Sequence, residues 1–262
     1  MSSRSLVEEA RKAGLSLVVY SRAGYGDSTP QPGRSVASVA ADIEDLLDAL
    51  AADRFVTLGW SGGGPHALAC AALITDRCLA AVSLAGVAPY RASGLDWMAG
   101  MAAENVEEFG AALQGERALV PLLEKWQEDL RNIQGPQVAE SLGGLVSEVD
   151  KQALTGEFAD ELAASFRHAL SNGIAGWRDD DLAFTRDWGF ELTAIQRPVA
   201  VWQGAEDRMV PFAHGQWLAA HIPNATVNLY PSQGHISLWT QHLGRILNDA
   251  VRLAGSVVSP RA

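Results

Sequence analysis

Cysteine is almost missing from this chain: Cys70 and Cys78 are the only two, and they stand apart. Two unclustered thiols frame neither a disulfide scaffold nor a metal site, so both read as buried, inert thiols. Long apolar runs are missing as well, since no stretch approaches the roughly 20 residues that cross a bilayer. Met1-Ser2-Ser3-Arg4-Ser5 leads into a charged amphipathic stretch with no apolar h-region, so no signal peptide is expected and a cytoplasmic location follows by default. Basic charge is scarce: 20 Lys and Arg face 31 Asp and Glu, a net charge of −11. With no basic stripe, an electrostatic grip on nucleic acid or on an anionic membrane is excluded as an expectation. Repeats and low-complexity segments are absent too. What is present is a chain of 262 residues, 48% hydrophobic. That is long enough to bury the core of one α/β domain with room for an inserted subdomain.

Strand and helix signals alternate through the first ninety residues. Residues 6–12 read as a helix. Residues 15–20, Leu-Ser-Leu-Val-Val-Tyr, read as a parallel strand buried on both faces. Ser35 can cap the next helix, where Val36, Val39, Ile43, Leu46, Leu47 and Leu50 recur at helical spacing. Strands are expected at 55–58 and 79–84, with a helix at 65–73 between them. From about 89 to 188 helical stretches (106–113, 119–130, 158–170) follow one another without a convincing strand. This segment reads as a helical cap inserted into a core made of 1–88 and 189–262. The βα rhythm resumes with a strand at 199–202, a helix at 216–221, a strand at 226–230 and a closing helix at 236–253. The fold class is therefore α/β, a mostly parallel sheet flanked by helices.

Ser61 sits in Gly59-Trp60-Ser61-Gly62-Gly63 between an expected strand and an expected helix. This G-x-S-x-G string is the pattern of a nucleophile elbow, where glycines relieve the crowding of a sharp, strained turn. A serine hydroxyl is a poor nucleophile at neutral pH, so acyl transfer needs an imidazole to take its proton and a carboxylate to orient that imidazole. Asp207 follows the strand ending at Trp202, and His235 follows the strand ending at Tyr230. Both lie where open parallel sheets build sites, beyond the carboxyl ends of strands. Glu206 competes with Asp207 as the acid. His66, His168, His214, His221 and His242 read as surface or satisfied histidines. Asp179-Asp180-Asp181 reads as a solvated loop or helix start and not as a metal site; no metal or cofactor is implied.

With these residues in hand the chain resembles an α/β-hydrolase-fold serine hydrolase, in the capped branch with proline iminopeptidase-like and haloperoxidase-like members. The resemblance runs from residue 6 to about 253. It rests on the elbow, the R-x-G-Y-G-x-S loop at 22–28, the G-x-x-D-x-x-V-P segment at 204–211 and Gly234-His235. It implies Ser61 as nucleophile, His235 as general base and then acid, Asp207 as orienting carboxylate and the Gly62 amide as an oxyanion donor. An epoxide hydrolase or haloalkane dehalogenase would carry a carboxylate where Ser61 stands.

The resemblance also exposes a gap. The family takes a second oxyanion donor from a His-Gly loop well upstream of the nucleophile, and here the one His-Gly is His214-Gly215. On the family pattern, with strand order 1-2-4-3-5-6-7-8, the first three strands are missing. The third would lie between residues 15–20 and 55–58. Either those two strands pair directly or backbone groups go unpaired. The expected explanation is that Met1 is an internal methionine of a longer gene product, with a natural short variant as the alternative.

The function expected is hydrolysis of a small-molecule ester, amide or short-peptide substrate through an acyl-enzyme at Ser61. The alternatives are a perhydrolase using the same triad with peroxide, a non-catalytic or weakly active small-molecule binding protein, and a structural pseudoenzyme. Trp60, Trp97, Met101 and Trp126 are candidates for the substrate pocket, with Met98 and Trp177 beside them, although such residues are more often core. Glu104, Glu107 and Glu108 could receive a peptide amine; solvated helix carboxylates are the plainer reading.

Overall fold

The structure, a computed structural model, describes residues 3–258. Helix α1 (Arg4–Lys12) begins at Ser3, whose hydroxyl accepts from the Leu6 amide at 3.1 Å and so satisfies one of the open donors at the helix start. After α2 (Val39–Ala49) come β1 (Phe55–Trp60), α3 (Gly63–Leu73) and β2 (Cys78–Leu84). Six helices then follow without a strand: α4 (Ala103–Gln114), α5 (Glu116–Leu130), α6 (Val138–Ser141), α7 (Glu148–Ala153), α8 (Gly156–Ala169) and α9 (Ala175–Phe184). The chain closes with β3 (Val199–Gly204), α10 (Phe212–His221), β4 (Thr226–Tyr230) and α11 (His235–Val258).

The four strands form one parallel sheet in the order β1-β2-β3-β4, with Gly59 opposite Ser83, Ser83 opposite Val201, and Trp202 opposite Asn228. Side chains alternate across a strand, and the inner strands use both faces. Ala80, Val82, Leu84, Ala200 and Trp202 pack against Leu6 and Ala10 of α1 and Leu238, Leu243 and Ile246 of α11. Ala81, Val199 and Val201 point the other way, onto Ile43 and Leu47 of α2, Leu68 of α3 and Leu218 of α10. Helix α3 is buried nearly all round, and its run of alanines lets it lie close to the sheet while α2 and α9 cover it.

Residues 15–20 are a correction to the sequence reading. They form no strand, and Leu17 (37% exposed), Val18 (50%), Val19 (43%) and Tyr20 (39%) stay open to solvent. They do not take up the open edge of the sheet. Among the described residues β1 pairs on one side only, with β2, and the amides of residues 16–20 donate no backbone hydrogen bond. Apolar content favours a buried strand only where a ladder exists to receive it.

The three consecutive aspartates are a second correction. Asp179, Asp180 and Asp181 are all buried within α9, not solvated. Each charge has its own compensation. Asp179 pairs with Arg178 at 2.7 Å. Asp180 accepts from Arg22 and Tyr25 on one oxygen and from Arg34 and His66 on the other. Asp181 meets Glu108, itself buried and bonded to the indole of Trp177, so Glu108 is no solvated carboxylate either. Burial, reinforced by Glu108, pushes the Asp181 carboxyl well above its ordinary range, and burial raises Glu108, so both shifts favour a proton on the pair. Burial opposes ionisation of Asp180, but Arg22, His66 and Arg34 outweigh it and hold that carboxyl well below the usual range. The loop at 22–28 thus serves to clamp α9 through Arg22 and Tyr25.

Candidate active site

Strand β1 delivers Ser61 and the start of α3 takes the chain away. The Ser61 amide donates to Leu84 O at 2.9 Å, extending the β1–β2 ladder by one bond, and the Gly64 amide donates to Ser61 O at 2.8 Å. Between those two bonds the backbone must reverse, and Ser61 adopts φ +55°, in the left-handed region. For a residue with a side chain this costs on the order of 1–3 kcal/mol, strain that recurs at functional sites. Gly59 is required there, because a Cβ on it would lie 1.9 Å from Gly63 O. Gly62 stands at the N-terminal end of α3, where amides face outward at the positive end of the helix.

Asp207 lies in the turn after β3 and is buried. One oxygen accepts from the amides of Met209 (2.9 Å) and Val210 (2.8 Å); the other accepts from Gln203 Nε2 at 3.0 Å and lies 2.8 Å from His235 Nδ1. Four donors hold the carboxylate in place and fix Nδ1 as the protonated nitrogen. Glu206 beside it is exposed. His235 opens α11 and is buried. Its burial disfavours the imidazolium, but the charge and hydrogen bond of Asp207, with a further contribution from Asp150, raise its pKa above the ordinary 6.5. Among the described residues its Nε2 makes no hydrogen bond to protein, the Ser61 hydroxyl included.

Trp60 ties the elbow to His235. Its ring stacks on His235 (centroids 5.5 Å apart) and on Trp239 (5.0 Å), and its Nε1 donates to His235 O at 3.2 Å. Trp97 lies in the core with its indole bonded to Ala88 O at 2.6 Å, and Met101 is buried in the same cluster. Trp126 on α5 packs with Trp177 on α9 against Leu119 and Leu123. The other histidines have structural partners. His66 binds Asp180. His214 accepts from the Ala88 amide and donates to Trp97 O, and burial lowers its pKa to about 4. His168 lies 3.3 Å from the Ser21 hydroxyl, His221 stacks on Trp217, and His242 lies against Tyr230. Glu104 accepts from the Gly144 amide, and Glu107 is exposed. Among the described residues no cluster of three His, Cys, Asp or Glu is arranged to hold a metal, and no helix is long and apolar enough to cross a membrane.

Two contributors escaped the sequence reading. Gln203, the residue before the end of β3, is legible only as a polar residue in an apolar strand. Asp150, on α7, donates nothing to any motif, yet its carboxylate receives the first amides of α11 from 85 residues away.

A parallel α/β sheet with a strained serine after one strand, a buried carboxylate after a later one and an imidazole after the last defines the α/β-hydrolase class. Residues 2–241 match the family described as the alpha/beta hydrolase fold, and the chain belongs to it. A non-heme chloroperoxidase of Streptomyces lividans is 29% identical over 237 residues, 87% of this chain and 77% of the relative. A pimeloyl-acyl-carrier-protein methyl ester esterase of Chromobacterium violaceum is 27% identical over 209 residues, 79% and 74%. Among solved structures, an alpha/beta hydrolase fold protein from Nakamurella multipartita has a TM-score of 0.60 at 26% identity, over 96% of this chain and 86% of its own. A bromoperoxidase from Bacillus anthracis has a TM-score of 0.65 at 24% identity, over 98% and 88%, a likeness of fold. The hydrolases and esterases among these relatives support a hydrolase.

Proposed function

We propose that the chain is a serine hydrolase that cleaves a carboxylic ester bond, with amide or short-peptide bonds as further candidates, through an acyl-enzyme at Ser61. The observation that carries this reading is the His235 Nδ1–Asp207 contact of 2.8 Å together with an elbow serine at φ +55° whose neighbour, Trp60, stacks on His235. His235 Nε2 takes the Ser61 proton as Oγ attacks the carbonyl carbon, and Asp207 holds the imidazolium that forms. The Gly62 amide stabilises the oxyanion. Collapse of the tetrahedral species expels the alcohol, which leaves with the proton from His235. Water, deprotonated by the same nitrogen, then attacks the acyl carbon, and Ser61 leaves with its proton restored as the carboxylic acid is released. The helices between residues 89 and 188 act as a cap over the site, and Trp60 forms part of its wall.

The naming of the Streptomyces lividans relative as a non-heme chloroperoxidase favours a second acceptor for the same acyl-enzyme, hydrogen peroxide in place of water, giving a peracid. A binding protein without turnover is the remaining alternative, since one oxyanion donor is worth a factor of about 10²–10³ in turnover. Intact-mass labelling with a fluorophosphonate probe tests the reading. The wild type should gain one adduct and Ser61→Ala none. A wild type that stays unlabelled would reject the acyl-enzyme.

A further inference from the structure

Helix α11 starts at the imidazole that the proposed mechanism uses, and a helix start carries unpaired amides and roughly half a positive charge. Both features work against a base that must hold a proton. The amides need acceptors, and the positive end repels the imidazolium. The structure answers both with one side chain from outside the sheet. Asp150 on α7 is completely buried, and its two oxygens accept from three successive amides: His235 at 2.9 Å on Oδ2, and Ile236 and Ser237 at 2.9 Å each on Oδ1. The Gly234 amide is met separately by Ser237 Oγ at 2.8 Å. The fit leaves no room at residue 234, where a Cβ would fall 2.3 Å from the Asp150 carboxylate. Glycine is thus required before His235 by the carboxylate opposite it.

We propose that Asp150 is a positioning residue for His235, fixing the first turn of α11 from the helical insertion and cancelling the positive end of that helix. The insertion then sets the orientation and basicity of the base as well as covering the site. The inference rests on the reading of His235 as general base. The charged groups facing the imidazole are Asp207 from the turn after β3 and Asp150 from α7, with the neutral Trp60 ring on its flank. Asp207 binds Nδ1 directly, whereas Asp150 acts through the backbone, so the two are separable by mutation.

The test is an NMR titration of the His235 imidazole in the full chain, in wild type, Asp150→Asn and Asp150→Ser, alongside the pH dependence of fluorophosphonate labelling. Asn keeps the shape and removes the charge; Ser keeps one acceptor. In both, the midpoint should move down by about half a pH unit or more, with labelling slowed at least tenfold at a pH where circular dichroism shows the chain folded. Equal midpoints in wild type and Asp150→Asn overturn the proposal. So does a wild-type midpoint at or below about 6.5, a result that needs no variant to fold. If the wild type is never labelled but the midpoints separate as described, the positioning role stands and the hydrolase reading falls.

Discussion

Asp180→Asn removes one charge and almost no volume, yet it strikes a buried carboxylate that meets four side-chain donors. Arg22 and Tyr25 bond one of its oxygens, and Arg34 and His66 the other. The side chains of Asp180 and Arg34 are 3% and 4% exposed, so neither has water to fall back on. An amide presents one acceptor oxygen where the carboxylate presents two, so one pair of donors faces an NH2 group that cannot accept. Arg34 retains carbonyl contacts to Ala23 and Gly176 but keeps no counter-charge among the described residues. Removing one member of a buried pair costs about 3–5 kcal/mol, mainly as the stranded charge, against a total of about 5–15 kcal/mol for a domain. For a chain of this size that is a fall of about 6–20 °C in Tm. Urea unfolding by circular dichroism at pH 7 measures it. The double variant Asp180→Asn, Arg34→Met removes the stranded charge and should recover a large part of the loss. Because the Asp180 pKa is depressed, its contribution is present above the ordinary 3.8 and fades as pH falls through the folded-state value. The gap between wild type and variant should therefore narrow in acid. A loss under about 1 kcal/mol at pH 7, or additive losses in the double variant, would refute the argument.

The raised pKa of His235 requires that kcat/KM for an activated ester climb with a midpoint above 6.5, since only the neutral imidazole accepts the serine proton; a midpoint below that value contradicts the Asp207 contact. Asp207→Asn should lower kcat by about 10⁴ with little change in fold, because it presents the wrong tautomer, and a loss under tenfold would point to another acid. Asp181→Asn replaces the shared proton with a fixed amide donor to Glu108. The raised pKa of Asp181 means that its stabilisation is complete below 3.8 and is lost as pH rises through the folded value. The variant should therefore gain Tm relative to wild type at pH 8–9 and lose that advantage near pH 4, as thermal melts across pH would show.

Local signals carried much of the fold. The strand at residues 226–230 and the helices around α4, α5 and α8 are written in apolar spacing within a dozen residues, and their observed bounds differ from that reading by only a few positions. The elbow is legible because its glycines and serine adjoin in sequence, and Asp207 and His235 because each follows a strand. What could not be read depends on partners far away. Residues 15–20 have the composition of an inner strand but pair with no strand among the described residues. Asp179, Asp180 and Asp181 look solvated until Arg22, Arg34, His66 and Glu108 arrive from other elements. Trp97 and Trp126 are large and apolar in sequence whether they line a pocket or fill a core; Trp97 bonds to the Ala88 carbonyl. Asp150 is one acidic residue in a short helix, and nothing within the helix marks its link to residue 235.

The one-sided pairing of β1 among the described residues bears on how firmly Ser61 is held. Amides in β2 and β3 are enclosed on both sides and open only when the sheet comes apart, whereas β1 is released by breaking a single ladder. Ser61 hangs from the end of that ladder by its bond to Leu84. The strained serine is thus moored at the sheet's margin, and the stacked rings of Trp60, His235 and Trp239 become a second mooring. In this chain the fraying of one strand and the loss of the Ser61 turn geometry are the same event.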